Sequence, residues 1–306
     1  MKEQIVKKIF RAFGTINSIT IPGDCSVDIL EHVKQRMLQL HNRFSFFDPN
    51  SEISQINQKA GVHPVPVSKD TISLLSLSLD YARDTKESFD VTVGAVNELW
   101  KDAIRQEKLP LEAQINHCKK LCGIQNLELD TIHETAFLRK KGMKLDLGGI
   151  VKGYAADETC CILQGYGIQN AKINFGGTVV IMGKKQKIGI QHPFKQTGGT
   201  MAHVILENKA IVTSGSYEQC FFYQGKRFHH IIDPHTGKPT CSGLLSVTLI
   251  GDEAAKLDAF ATGICCLGLK NGALIAQQHG ISAIFVTENG CVQITPELQT
   301  HLSFYS

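Results

Sequence analysis

An excess of either charge is missing from this chain: 32 Lys+Arg stand against 29 Asp+Glu, a net +3 over 306 residues. That balance argues against a nucleic-acid binder held by a broad basic face, though not against a local anion site. Long apolar runs are missing too, since none reaches the roughly 18 residues that a bilayer-spanning helix needs. The N-terminal stretch MKEQIVKKIFRAFG has Lys and Arg around a short apolar patch, without a signal-peptide core or a following lipobox-like Cys. The chain therefore reads as cytoplasmic; an exported or lipid-anchored protein whose leader had been removed would read the same way. There is no repeat of fixed period and no low-complexity tract. Ten cysteines are present, but none form a C-x-x-C pair. The adjacent pairs Cys160-Cys161 and Cys265-Cys266 diverge on a helix and do not easily share a zinc ion, so they read as small buried hydrophobes in a reducing compartment.

What is present suffices for a core. With 42% hydrophobic residues, the chain needs no disulfide or metal to bury one. Residues 16–22 read as a strand, and Val27, Leu30, Val33, Met37 and Leu40 lie on one face of a helix over 26–43. Ser68 suits the N-cap of a helix through Arg83. Gly148-Gly149 precede a helix that ends near Gly165 or Gly167. Strands are predicted at 171–175, 179–182, 187–191, 201–206 and 245–250, and as hairpins at 220–223 with 228–232 and at 281–286 with 291–294; a helix is predicted over 253–267. Strands cluster in the second half with helices spread between them, which indicates an α+β fold with mostly antiparallel or mixed sheets flanked by helices. The segment 101–140 is polar and irregular and reads as an insertion within one composite domain spanning 1–306.

Polar residues gather at a few places. Asp258 and Thr262 are spaced i, i+4, which on a helix sets a carboxylate and a hydroxyl on one face. Such a pair offers hard oxygens of the kind Mg²⁺ takes, and equally suits an acidic helix start with an unrelated Thr. In Lys144–Tyr154 a strand runs into Gly148-Gly149 at a helix start, where free N–H groups and Lys152 favour an anion. The glycine spacing is neither a P-loop nor GxGxxG, and a tight strand-to-helix turn explains it as well. Phe175–Thr178 and Thr213–Tyr217 are further Gly/Ser turns at strand ends. Phe44–Ser54 sets aromatics before a turn, as a stacking platform for a flat ring or as an anchor ahead of a helix capped by Asn50 or Ser51. His229 and His230 alternate on a strand, so only one of them faces a given site.

The order of these pieces resembles that of the ApbE family, the FAD:protein FMN transferases. The matching stretches are FGT (13–15), FSxxDPxSEIS (44–54), FDVTVG (89–94), LDLGGIVKGYAAD (145–157), NFGG (174–177), TSGSYE (213–218), HHIIDPHTGKP (229–239) and DAFATG (258–263). The resemblance implies an enzyme that binds FAD with Mg²⁺, attaches FMN to a Thr or Ser hydroxyl of a target flavoprotein, and releases AMP. It places Phe13, Phe47, Ser88, Phe89, Asp90, Asp146, Lys152 and Ile232 at FAD contacts. By the same resemblance Asp258, Thr262 and the backbone oxygen of Gly149 are the metal ligands, and His230 is the base for the acceptor hydroxyl. Four positions bear on this match. Ala261 stands where some members have a polar residue, Thr178 where Asp is commoner and Phe47 where Tyr is frequent, while Lys152 is the common choice although some members have Glu. A Mg²⁺-dependent FAD pyrophosphatase and a non-catalytic flavin-binding protein are the rival readings.

Overall fold

The structure is a computed structural model that describes residues 4–23, 27–195, 199–217, 219–298 and 302–304. Chain order runs β1 (Ile5–Ala12), β2 (Thr15–Pro22), α1 (Val27–Phe44), α2 (Glu52–Gln58), β3 (Val65–Pro66), α3 (Lys69–Asp84), α4 (Gly94–Gln106), α5 (Glu112–Lys119), β4 (Leu127–Asp130) and β5 (Thr135–Leu138). It continues through α6 (Val151–Gly165), β6 (Ala171–Phe175), β7 (Thr178–Met182), β8 (Gln186–Gln191), β9 (Thr200–Leu206), β10 (Lys209–Gly215), β11 (Cys220–Tyr223), β12 (Lys226–His229), β13 (Ile232–Asp233) and β14 (Lys238–Pro239). It ends with β15 (Leu244–Gly251), α7 (Ala254–Gln278), β16 (Ser282–Thr287), β17 (Val292–Ile294) and β18 (Leu302–Phe304).

The fold is α+β, as the sequence pattern indicates. Eight strands form one antiparallel sheet in the order β1-β2-β6-β7-β10-β15-β16-β17. Alternation along each strand serves two cores. Val180, Val212 and Leu249 face α1, α6 and α7, whose Met37, Leu40, Ala155, Leu163, Phe260 and Ile264 are buried with them. Their neighbours Ile181, Ile211 and Ile250 face the other way, onto Ile188, Ile190, Val204 and Leu206 of the small sheet β8-β9-β18. β15 is covered on both faces, so its Ser246 and Thr248 are buried along with its apolar residues.

Several boundaries follow their local signals. Ser51 and Ser68 cap α2 and α3, accepting from the N–H of Ser54 at 3.0 Å and of Thr71 at 3.4 Å. Gln224 and Gly225, both with positive φ, close the β11–β12 hairpin. Other expectations are corrected. The strand expected over 228–232 ends at His229, because Cys220 is the last partner of β11, and Ile232 pairs instead with Pro239. β1 and β10 were not expected at all. The segment 101–140 is ordered rather than irregular: it holds the end of α4, α5, β4 and β5, and buries Ala103, Ile115, Leu127, Ala136 and Leu138. Its amphipathic stretches are short, so charged outer faces mask them. The helix expected over 253–267 does break after Leu267, at the non-helical Gly268 (φ 76°, ψ 175°); what was not expected is the second helical stretch that carries α7 on to Gln278. Among the described residues α7 is the one helix long and apolar enough to cross a membrane by length and composition; more than half of that stretch is buried within the protein.

The meeting of α6 with α7 positions the site. A Cβ on Gly153 would lie 2.2 Å from the Ala254 carbonyl oxygen and 2.6 Å from Ala255 Cα, so only glycine permits this approach. One turn further along α6, the Asp157 carboxylate accepts from the N–H groups of Ala254 (2.9 Å) and Ala255 (2.8 Å), closing the start of α7. Burial pushes the Asp157 carboxyl up to about 6, against the pull of those two bonds. Gly153→Ala is expected to lower stability by about 1–3 kcal/mol, the usual range for forcing atoms into a packed contact; urea unfolding of the two proteins checks it.

Candidate active site

The start of α6 and the second turn of α7 bring four of the sequence-predicted residues together. Asp258 is 2% exposed. Its carboxylate accepts from Lys152 Nζ at 3.1 and 3.2 Å and from the Gly153 N–H at 3.0 Å. Thr262, one turn on, donates its hydroxyl to the Asp258 carbonyl at 3.3 Å, which leaves the oxygen lone pairs free to turn outward. Gly149 lies against it: a Cβ there would be 3.2 Å from Thr262 Oγ1 and 3.3 Å from the Phe89 ring. Lys152 also donates to the Gly148 carbonyl at 3.2 Å. The Asp258 carboxylate and the Gly148 carbonyl thus hold the lysine ammonium, and the Thr262 hydroxyl and Gly149 lie one turn away. Among the described residues no three His, Cys, Asp or Glu side chains gather as a metal cage. The donors here are hard oxygens, a set that fits Mg²⁺ completed by water and phosphate.

A second charged pair borders the first. The Asp146 carboxylate accepts from Lys101 Nζ at 2.8 Å, from Asn97 Nδ2 at 3.1 Å and from the Gly148 N–H at 2.9 Å. Burial works to raise its pKa, but Lys101 and the Gly148 and Asn97 hydrogen bonds outweigh it and hold the carboxyl below its ordinary range. Lys101 also sits over the rings of Phe46 and Phe47, at 5.1 and 5.3 Å from their centres.

The two histidines divide their roles where β12 ends at His229 and the chain bends at His230. His229 is buried; its Nε2 lies 3.1 Å from the Thr240 carbonyl and its Nδ1 accepts the Ile231 N–H at 3.3 Å. Burial pulls its pKa down to about 4. His230 Nδ1 is buried without a hydrogen-bond partner. Burial chiefly, with the charges of Lys152 and Lys101, holds His230 below the ordinary imidazole value, against a backbone hydrogen bond at Gln219. His230 is thus a neutral imidazole near both lysines with a free ring nitrogen. Trp100 anchors the segment after it, donating Nε1 to the Gly237 carbonyl at 2.9 Å and stacking on Phe228.

The model of the ApbE family matches residues 13–285. The chain belongs to the ApbE family. A Klebsiella pneumoniae (strain 342) protein named FAD:protein FMN transferase is 34% identical over 264 residues, covering 85% of this chain and 83% of its own. An Escherichia coli (strain K12) protein of the same name is 28% identical over 292 residues, covering 92% and 83%. The crystal structure of the ApbE protein from Thermotoga maritima MSB8 has a TM-score of 0.89 at 29% identity, over 97% of this chain and 99% of its own. The flavin transferase ApbE of Vibrio cholerae has a TM-score of 0.87 at 24% identity, over 98% and 99%, and supports the fold alone.

The other residues that the ApbE resemblance singled out lie in several separate surroundings. Phe13 forms the β1–β2 turn with φ 54°; its N–H donates to His41 Nδ1 at 3.1 Å, beside a groove of about 500 Å³ lined by Arg11, Gly14, Thr15 and His41. Gly176 packs on Thr15 and Gly177 faces the Thr213 carbonyl, so the FGT, NFGG and TSG turns lie side by side. The last residue of TSGSYE, Glu218, lies outside the described residues. Phe47 is 77% exposed. Ser88 and Phe89 are buried. Asp90 is turned inward: its carboxylate accepts from the N–H and hydroxyl of Thr92 at 2.6 and 2.7 Å, and burial raises its pKa. The Ile232 side chain packs with Val96, Trp100 and Ile115. Sequence reasoning missed Asn97, Lys101 and Asp157. Asn97 and Lys101 are i, i+4 on α4, a signal hidden because that helix was not assigned.

His229 carries a pH prediction. Its folded pKa lies below the unfolded value, so its stabilisation is complete above about pH 6.5 and is lost as the pH falls towards 4. The loss at full expression is on the order of 3 kcal/mol. Thermal melts between pH 7 and 4 should show a shallower decline for His229→Gln than for the wild type.

Proposed function

We propose that the protein transfers FMN from FAD to a Thr or Ser hydroxyl of a target flavoprotein and releases AMP. The observation that carries this is the Asp258 carboxylate held by Lys152 and the Gly153 N–H, with Thr262 and Gly149 against each other one turn away and a His230 ring nitrogen left without a partner. The FAD:protein FMN transferases among its ApbE relatives support the same reading.

In this reaction the acceptor oxygen forms a bond to the FMN-side phosphorus as the bond from that phosphorus to the bridging oxygen breaks. The bond's electron pair leaves on AMP, and the hydroxyl proton passes to His230. A neutral imidazole is needed for that step, and burial beside two lysines keeps His230 neutral. Asp258, the Thr262 hydroxyl and the Gly149 carbonyl would hold Mg²⁺, which supplies charge neutralisation at the diphosphate. Lys152, released from Asp258, then faces the diphosphate, while the Gly149 N–H and the dipole at the start of α6 favour its negative charge, the Gly148 N–H being held by Asp146. Phe47, exposed beside Phe46, supplies an aromatic face for the flavin ring. Phe13, Phe89, Asp146 and Ile232 complete the FAD surroundings through the turns they hold.

Incubation with FAD, Mg²⁺ and a protein carrying a flavinylation motif should give an acceptor heavier by one FMN, seen by mass spectrometry, with AMP in equal amount. AMP and free FMN without labelling would assign the site to FAD hydrolysis instead, and no AMP would leave a flavin binder. Asp258→Ala should abolish transfer at Mg²⁺ levels that saturate the wild type. His230→Ala should bind FAD normally and lose about 10²–10⁴-fold in transfer rate, the usual contribution of a positioned base. The wild-type rate should rise with pH through a value below the ordinary 6.5 of histidine, because the folded pKa is depressed and the neutral form acts.

A further inference from the structure

Beyond helping to hold down the His230 pKa, Lys101 has an ammonium that stands at a junction. It donates to Asp146 at 2.8 Å and lies 5.1 Å from the ring centre of Phe46 and 5.3 Å from that of Phe47. Those rings meet edge to face, their centres 5.3 Å apart and their planes at 77°. A cation within about 6 Å of a ring is drawn to its face, so one ammonium in the corner between two rings fixes the angle between them. Fixing matters here because Phe47 is 77% exposed and little packing holds it. The backbone beneath is already tied down: Ser45 Oγ accepts from the N–H groups of Phe47 and Asp48 at 3.2 and 3.1 Å, and Ser54 donates to the Phe46 carbonyl at 3.2 Å. Lys101 therefore acts on the rings rather than on the loop.

The same ammonium reaches the other end of the site. Asp146 is tied through its second oxygen to the Gly148 N–H at 2.9 Å, within the turn that presents Gly149. Asn97, one turn before Lys101 on α4, donates at 3.1 Å to the Asp146 oxygen that Lys101 contacts, so the carboxylate is fixed from the helix as well. A run of contacts leads from the Phe47 ring through Lys101 and Asp146 to the Gly148-Gly149 turn.

We infer that Lys101 is a positioning residue that ties the Phe46–Phe47 aromatic step to the Asp146–Gly148 turn, holding the ring-stacking and diphosphate-binding ends of the FAD site in one register. The inference rests on the FAD reading of the site. The test is a titration with FAD in the absence of Mg²⁺, followed by flavin fluorescence, together with steady-state kinetics in its presence. Lys101→Met keeps the aliphatic stem and removes the charge. It should weaken FAD binding about five- to tenfold and raise the KM for FAD more than it lowers kcat. Lys101→Arg should restore most of the affinity, since a guanidinium serves both a carboxylate and an aromatic face.

A purely structural ion pair with Asp146 is separated by a double-mutant cycle. In a Phe46→Leu, Phe47→Leu background the rings are gone, and Lys101→Met should then cost less than about twofold. Lys101→Met with wild-type affinity would overturn the inference, as would a loss of unchanged size in the ring-less background. A wild type that binds no FAD would instead remove the flavin reading on which it rests.

Discussion

Two helices meet at Gly153 so closely that the Ala254 carbonyl occupies the space a side chain would need. The rest of the site depends on that approach. It brings the Gly153 N–H within 3.0 Å of Asp258 and lets Lys152, one residue earlier, reach the same carboxylate. It also sets the start of α7 against Asp157, so that one turn of α6 caps that start and the preceding turn holds the functional carboxylate of α7. Thr262 and Gly149 then meet because each lies one turn from that contact, in opposite directions. A wider separation of the helices would leave Asp258 buried without partners, which costs far more than losing an exposed pair.

The charges are balanced in two linked pairs, Asp258 with Lys152 and Asp146 with Lys101. Both carboxylates are buried and both lysines reach in from the more open side. The arrangement stores paired charge in the absence of ligand and has cations ready for a diphosphate. It also adds to burial, the larger cause, in holding the His230 pKa below the ordinary imidazole value, because two nearby ammonium groups disfavour a third positive charge. His229, adjacent in sequence, spends both ring nitrogens on the backbone and so holds the bend that aims His230.

Much of the fold was legible in the chain. The alternation in 171–175 and 245–250, the serine caps at 51 and 68, and the glycine turns at 148–149 and 224–225 are local signals, and local signals survive in sequence. α4, α5, β1 and β10 were harder. Their buried faces are narrow: α4 buries Val96, Trp100 and Ala103, and the charged residues between them hide the period. The site divided the same way. Asp258 and Thr262 were visible as an i, i+4 pair. Lys101 was not, because its partners Asp146 and Phe47 come from segments 45 and 54 residues away, on either side of it in sequence.

By itself the sequence determined the α+β class, the order of the family's motifs, and which residue types stand at the helix starts and strand ends. Those properties are set by short-range sterics, hydrogen bonding and periodicity. Only the tertiary structure decided that Asp90 turns inward to Thr92, that His229 is structural while His230 keeps a free nitrogen, and that Lys101 joins the aromatic loop to the glycine turn. Each of these depends on which groups from distant segments compete for one buried charge or hydrogen bond, and that competition exists only once the sheet and helices have packed.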